Sequence, residues 1–469
     1  MTIELEILGA ARGVTGSRHL VRTSKATVLL DCGLFQGHRA EANARNRHLG
    51  FDPSTIDAVV LSHAHLDHSG ALPILCHQGY HGPIHTTPAT LDLCGPLLED
   101  AAALQQADAR HIASLIARGV DLQPVVALYD HDDVAATLAR LEGVRYHRPH
   151  VIAPGVELTL LDAGHVLGSA IVVLDLDDDG EHVRLAFTGD LGRRQALHTL
   201  DPDLPERVHV LVSESTYGDR LHRPIAESRD ELARAVARTV RRGGKVIIPS
   251  FALERAQEVV YTLKQLRAED RVGPPVPVYL DSPLATRLTN VFRRYPGSYG
   301  QAALDLLHVG DSPFDFEGLR YVTDAEDSKA VGETPGPAVI IAGSGMCEGG
   351  RVLHHLRTTI SDPKNTIIMV GFQAEHTLGR RIAERRKEVR IFGLMHDLHA
   401  EVVVLDGFSA HADQQGLLDF AEAVRARGPL RQVVLVHGEP AAEDALAAEL
   451  GKRGFPQVAA PERGARIRI

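Results

Sequence analysis

The chain has 469 residues, 44% of them hydrophobic and 24% charged, which is ample apolar material for large cores and, at roughly 150 residues per domain, length for two or three folded units. No apolar run approaches the roughly 18–20 residues of a membrane-spanning helix, Met1 leads straight into strand-like sequence, and low-complexity tracts are absent, so neither a membrane protein, a secreted precursor nor a disordered chain is expected. The cysteines, Cys32, Cys76, Cys94 and Cys347, form no C-x-x-C pair, which excludes a disulfide scaffold and points to a reducing cytoplasm, while the net charge of −11 argues against binding polyanions over the whole surface.

In chain order, Ile3–Leu8, His19–Arg22, Thr27–Asp31 and Ala58–Ser62 are short β-rich runs expected to form an antiparallel meander. Helical segments follow at Ala89–Gln106 and Val134–Arg140. Strands return at Val156–Leu161, Ala170–Asp175, Val183–Thr188 and Val208–Ser213, and the acidic Asp177–Gly180, lacking the ligand spacing of a calcium loop, reads as a hairpin turn. From about Asp219 helices and strands alternate: Ala226–Arg241, Lys245–Pro249, Arg255–Leu266, Val276–Leu280, Leu284–Phe292, Ala338–Ala342, Arg351–Thr359 and Thr366–Val370, the rhythm of a parallel α/β layer. After Val389–Phe392 the meander style is expected to resume with strand Glu401–Leu405, helix Gln414–Ala426, strand Gln432–His437 and helix Ala441–Arg453. The middle therefore reads as an α/β domain inserted into another, with bounds 1–218, 219–395 and 396–469.

Chemistry concentrates after the strands. His63-Ala64-His65-Leu66-Asp67-His68 follows the apolar run Ala58–Ser62, and imidazole and carboxylate are ligands for zinc and similar ions; these donors within six loop residues suffice for two ions. Later strands end in His165, after Val156–Leu161, and in Asp190, after Val183–Phe187, while Asp31 ends an earlier one. Arginines gather at Arg238, Arg241 and Arg242 with Lys245, and at Arg380, Arg381, Arg385, Arg386 and Arg390 with Lys387; such runs are either solvated helix faces or phosphate contacts. The zinc-protease H-E-x-x-H, deaminase P-C-x-x-C and Walker-type patterns are missing.

H-x-H-x-D-H at 63–68 resembles the signature of the metallo-β-lactamase superfamily, and Ser213–Gly218, Gly407–Asp413 and Val436–Glu439 resemble the three motifs of its β-CASP nuclease branch. Gly9–Ser17, Phe251–Glu258, Asp281–Ala285, Gly343–Met346 and Gly349–Arg351 also match that branch, so the resemblance covers essentially the whole chain. It is close to the short bacterial β-CASP ribonucleases and to the endonuclease subunit of the cleavage and polyadenylation specificity factor. The resemblance implies a metallo-β-lactamase αβ/βα four-layer sandwich with an inserted α/β β-CASP domain that closes over the metal site as a lid.

Carried over residue by residue, the resemblance implies that His63, His65 and His165 hold one zinc ion, that Asp67, His68 and His437 hold another, and that Asp190 bridges them, with manganese as an alternative metal. Asp31 orients ligands from outside, and Glu214 with His411 forms a proton-transfer pair; Asp31 and Asp67 are grouped with these as catalytic carboxylates. The expected reaction is hydroxide attack between two metals on single-stranded RNA, leaving 5′-phosphate and 3′-hydroxyl ends. His437 favours RNA, because DNA-acting members of the Artemis type have an apolar residue there. Endonucleolytic cleavage is put ahead because the residues after His437 have no counterpart of the domain that the longer ribonuclease J proteins append. Arg255 and Arg351, with the backbone of Ser344 and Gly345, are expected at substrate phosphates. Aromatic residues are 4% and Trp is absent, so base stacking is sparse and sequence preference weak. A homodimer is left open. The competing readings are a small-molecule metallohydrolase of the thioesterase or lactonase type, which needs neither the insert nor Glu214 and His411, and a catalytically silent RNA-binding subunit, which would not retain every ligand position.

Overall fold

The computed structural model describes residues 3–37, 39–194, 199–371, 373–374 and 376–469. It divides into two compact units, Met1–Gln195 with Leu200–Leu221 and His411–Ile469, and Ala196–Thr199 with His222–Ala410.

The first unit is built on two seven-stranded sheets. One runs in the order Arg466–Arg468, Glu4–Ile7, His19–Arg22, Thr27–Leu30, Ala58–Val60, Ile84–Thr86, Leu141–Gly143. Its first strands pair antiparallel, as expected from their close spacing, but Thr27–Leu30 and Ala58–Val60 are parallel, as are the two pairs that follow. The meander thus stops one strand earlier than expected. The intervening chain carries helix Arg39–Arg47 and the short turn Pro53–Thr55, a crossover long enough to bring the next strand back in the same direction.

The other sheet runs Val458–Ala459, Gln432–Val436, Val210–Glu214, Glu181–Phe187, Ala170–Asp178, Val156–Asp162, His150–Ala153. Asp179 and Gly180 both have positive φ between two of its strands, the backbone a two-residue hairpin requires, so the acidic run is a turn. Period two sorts these strands. Val172, Leu174, Leu185, Val210 and Val434 face the first sheet's Leu5, Val28 and Leu30, while Ile171, Val173, Leu211, Val433 and Leu435 face helices Gln414–Ala426 and Pro440–Lys452. Helices Leu72–His77, Pro88–Ala117 and His131–Leu138 pack together beside the first sheet. The result is an α/β/β/α sandwich.

The second unit holds a six-stranded parallel sheet ordered Leu319–Tyr321, Val278–Asp281, Ala338–Ala342, Lys245–Pro249, Thr366–Val370, Glu401–Leu405, with helices on both faces. Glu401–Leu405, expected to open the returning meander, is instead its last strand, paired parallel to Thr366–Val370. Its run of valines is buried on both faces, the mark of a parallel strand, so the crossing back falls at 410/411 and not at 395/396. No helix among the described residues is long and apolar enough to cross a membrane.

The metal-motif loop is tied to the first sheet by its backbone. Cys32 N–H donates to His68 O at 2.8 Å, Leu34 N–H to Leu66 O at 2.8 Å and Ser17 N–H to Asp67 O at 2.8 Å. Gly33 sits inside this contact, where a Cβ would fall 1.6 Å from the Asp67 carbonyl oxygen. Gly33→Ala is therefore expected to displace the loop and destabilise the fold by about 1–3 kcal/mol, the usual range for overpacking. A denaturant midpoint equal to the unsubstituted protein's would contradict this close approach.

Candidate metal centre

Six strand ends of the two sheets converge on one buried cluster: Asp31 follows Thr27–Leu30, His63 follows Ala58–Val60, His165 follows Val156–Asp162, Asp190 follows Glu181–Phe187, Glu214 ends Val210–Glu214 and His437 follows Gln432–Val436. Donor atoms of His63, His65, His165 and Asp190 lie within 4.8 Å of one another, and so do those of Asp67, His68 and His437. The Asp190 carboxylate stands between the two groups. Its Oδ2 is 3.5 Å from His63 Nε2 and 3.5 Å from His165 Nε2, while its Oδ1 is 3.3 Å from His68 Nε2 and 3.5 Å from His437 Nδ1. Asp67 Oδ2 is 3.6 Å from His437 Nε2.

Contacts outside the cluster choose which nitrogen faces inward. Asp31 Oδ2 accepts from His68 Nδ1 at 2.7 Å, which directs His68 Nε2 at Asp190. Asp31 also accepts from the Ser62 N–H at 2.7 Å, from Ser62 Oγ at 3.0 Å and from Ser17 Oγ at 3.2 Å. Because the Ser62 hydroxyl proton goes to Asp31, its oxygen is left to accept the Nδ1–H of His63 at 3.1 Å, turning Nε2 inward. Thr216 does the same for His437: its hydroxyl donates to His437 O at 3.1 Å and accepts from Nδ1 at 3.1 Å. Ser17 and Thr216 were not singled out in the sequence. Each lies inside a motif recognised as a block, and its partner, Asp31 or His437, is distant in sequence, so no local pattern marks it.

The protonation states suit a cation. Burial holds the imidazoles of His63 and His165 well below the usual histidine range, and that of His65 below it, so they present neutral nitrogen. Burial would raise the Asp190 carboxyl, but His437 and His68 outweigh it and hold it well below the carboxylate range. Burial would lower His68, yet Asp190 and Asp31 raise it well above the histidine range. Asp190 Oδ1 is buried without a hydrogen bond although two imidazoles stand within 3.5 Å. Neutral nitrogens crowded to within 3.0 Å of one another, as His63 Nε2 is to His65 Nδ1, around an ionised oxygen left without a hydrogen bond, fit a shared divalent cation.

A second motif adjoins this cluster. Glu214 is fully buried; its Oε1 accepts from the Leu191 N–H at 2.6 Å and its Oε2 from the Thr216 N–H at 3.3 Å. His411 Nδ1 reaches both oxygens, at 3.0 and 3.1 Å, and Nε2 lies 4.0 Å from Asp190 Oδ2. The His411 side chain is 21% exposed, against 2% or less for Asp190, Asp31, His63, His68 and His165.

The expected phosphate contacts in the second unit fare differently. Arg255 is buried in an ion pair with Glu258. Arg351 donates to Asp281 Oδ1 at 2.7 Å, to Val322 O at 3.1 Å and to Thr323 O at 2.5 Å. The Ser344 N–H donates to Gly349 O at 3.3 Å, its hydroxyl accepts from the Glu348 N–H at 3.1 Å, and Gly345 packs so closely on the Phe251 ring that a Cβ would come within 2.7 Å of it. These residues form a closed turn and internal ion pairs. A buried or half-buried guanidinium needs a partner, and here the chain supplies one. The arginine runs are likewise engaged: Arg238 and Arg242 both pair with Glu401, at 2.6 and 2.7 Å, and Arg380 and Arg386 with Glu384, at 2.7 and 3.1 Å.

A sandwich of two sheets with this donor set at its strand ends defines a metallo-hydrolase. The chain belongs to the metallo-beta-lactamase superfamily: that family's model matches residues 13–250, the Beta-Casp domain matches 256–382, and the Zn-dependent metallo-hydrolase RNA specificity domain matches 395–461. It is 41% identical over 447 residues to Ribonuclease TTHA0252 of Thermus thermophilus, covering 95% of each chain. It is 32% identical to Transcription termination factor FttA of Methanosarcina mazei, covering 96% of this chain and 69% of that one, and 33% identical to the factor of the same name from Thermococcus kodakarensis, covering 93% and 67%. A crystal structure of a protein of unknown function from Enterococcus faecalis V583 shares the fold over the full length of both chains, with a TM-score of 0.55 and 13% identity.

Asp31→Ala removes the acceptor that orients His68 and Ser62, and is expected to weaken metal binding by roughly 10–100-fold in a competition titration with a chelator. Arg351→Ala leaves the fully buried Asp281 with only His355 and Ser328 and is expected to cost about 1–3 kcal/mol of stability. Unchanged melting with weakened RNA binding would instead restore Arg351 to a phosphate contact.

Proposed function

We propose that this protein is a metal-dependent ribonuclease that cuts single-stranded RNA internally and leaves 5′-phosphate and 3′-hydroxyl ends. The observation that carries the reading is the pair of buried Glu214 and partly exposed His411 set against Asp190, because a generic metallohydrolase needs the metal donors but not a fixed acid beside them. The reading is supported by the 41% identity to a ribonuclease along 95% of both chains and by the match to an RNA specificity domain.

In this reading two divalent ions, zinc with manganese as the alternative, are held by His63, His65 and His165 and by Asp67, His68 and His437, with Asp190 shared. When bound, they supply Lewis acidity toward the phosphoryl oxygens and acidify a water nucleophile. Asp31 serves by fixing His68, and Asp67, whose carboxyl burial would raise but His437 and His68 hold low, stays ionised as a donor. His411 acts as general acid. Burial would lower its pKa, but Glu214 and Asp190 override this and take it up to about 9, so the ring is protonated at neutral pH. With Nδ1–H held by Glu214, Nε2 delivers the proton to the departing 3′-oxygen.

Metal-loaded protein is incubated with RNA labelled at either end and the product termini are mapped; comparable cleavage of single-stranded DNA would remove the RNA assignment. His411→Ala is expected to keep its metal and slow cleavage by roughly 10²–10⁴-fold. A substrate with sulfur as the leaving atom should restore much of that rate, and metal loss from His411→Ala would reassign the residue as a ligand. Asp190→Ala is expected to weaken both metal sites and His437→Ala chiefly one.

A further inference from the structure

A second constellation lies at the open edge of the same sandwich. His85 is on strand Ile84–Thr86, Glu142 is its directly paired neighbour on strand Leu141–Gly143, and His150 begins strand His150–Ala153. Leu141–Gly143 is the terminal strand of the first sheet and His150–Ala153 that of the second. One donor atom from each side chain lies within 4.8 Å of the other two. His85 Nδ1 is 3.6 Å from Glu142 Oε2, and the His85 and His150 rings stand edge to face with centroids 5.4 Å apart.

His85 is the member that demands an account. It is 3% exposed, and both its ring nitrogens are buried without a hydrogen-bond partner. Buried polar atoms are rarely left so, and each that is left needs a reason. Burial outweighs the attraction of Glu142 and sets its pKa below the histidine range, so the ring is neutral and one nitrogen carries an open lone pair. Two imidazoles and a carboxylate are a transition-metal donor set.

We propose that His85, Glu142 and His150 bind one further divalent transition ion, zinc or a close relative, which clips the edge strands of the two sheets together. Ligands about 2.0–2.1 Å from a tetrahedral ion sit roughly 3.3 Å apart. The set therefore closes by at most about 1.5 Å, a movement open to Glu142 and His150 because their side chains are exposed. Glu142 and His150 line an open cavity of about 320 Å³ together with Arg145 and Arg148, which leaves the fourth position to water. Two imidazole nitrogens with a single carboxylate select zinc over calcium or magnesium, which take oxygen ligands. None of the three residues belongs to the centre described above.

Zinc titration of the full-length protein tests this. His150→Ala and Glu142→Gln alter exposed side chains, and each is expected to bind one equivalent less zinc than the unsubstituted protein while cleaving RNA at the same rate. A second arm uses Asp190→Ala, whose main centre is weakened: zinc should still raise its Tm, and adding His150→Ala should reduce that rise. Equal zinc content in the three proteins, or an unaltered Tm rise in the double variant, overturns the proposal whatever the fate of the nuclease reading.

Discussion

The charge on Asp190 is the constraint around which the first unit is arranged. Its side chain is 2% exposed, and an ionised carboxylate withdrawn from water costs several kcal/mol unless partners restore what solvent gave. The partners present are imidazoles on both oxygens, yet burial keeps His63 and His165 neutral, so their rings offer lone pairs where Asp190 needs positive charge. His68 is pushed toward the charged form by Asp190 and Asp31 together, and the more distant His411 by Glu214 and Asp190, two charges set against the four carboxylates Asp31, Asp67, Asp190 and Glu214. As it stands the cluster is deficient in positive charge and rich in open donors. The same deficiency makes the site selective for cations over water, which could satisfy the hydrogen bonds but not the charge.

The sandwich supplies these donors because parallel strands release their chains at one edge. Strands Thr27–Leu30, Ala58–Val60, Glu181–Phe187, Val210–Glu214 and Gln432–Val436 each end next to a group used in the cluster, and the parallel pairings hold those ends in register. Two of the exits require unfavourable backbone: Asp31 and His437 both have positive φ without being glycine. His437 is held in that conformation by its N–H donating to Ala10 O at 2.7 Å and by the Thr216 hydroxyl on its carbonyl. Asp31 is held by the bonds its side chain accepts from Ser62 and His68. Local strain of this size persists only where several contacts overdetermine the position.

What the amino-acid sequence alone makes legible follows from this distribution of contacts. H-x-H-x-D-H is contiguous, so its donors are visible as a word, and His165, Asp190 and His437 are visible as punctuation after apolar runs. The hairpin at Asp177–Gly180 and the alternation of helix and strand after Asp219 are equally local and were legible for that reason. Arg351 was not. Its residue type and glycine-rich neighbourhood suit a phosphate, but the partner its guanidinium holds in the structure is Asp281, seventy positions away in sequence, which no local pattern announces. Glu401–Leu405 misled in the same manner, since its valine run is compatible with either sheet and only the pairing with Thr366–Val370 decides. His85, Glu142 and His150 lie on three strands with no motif spacing at all.

The two histidine clusters differ in what stands behind the rings, and that difference separates their chemistry. At the main centre the second nitrogens of His63, His68 and His437 are engaged by Ser62, Asp31 and Thr216, so each ring has one tautomer and one direction before any ion arrives. Preorganisation of that kind is what a reaction requires, because a displacement of the order of 1 Å at a reacting centre costs about 100-fold in rate. His85 has nothing behind it, and Glu142 and His150 are free to turn in solvent. An ion there would set the geometry of its ligands instead of finding it set, at a cost in affinity that catalysis could not tolerate and a structural clip can. The terminal strands of two sheets are also where cross-linking has most to contribute, since among the described residues each lacks a hydrogen-bonded neighbour on its outer side. The oriented imidazoles of His63, His68 and His437 thus belong at the main centre, where chemistry needs them, and the unoriented His85 at the edge, where only cohesion does.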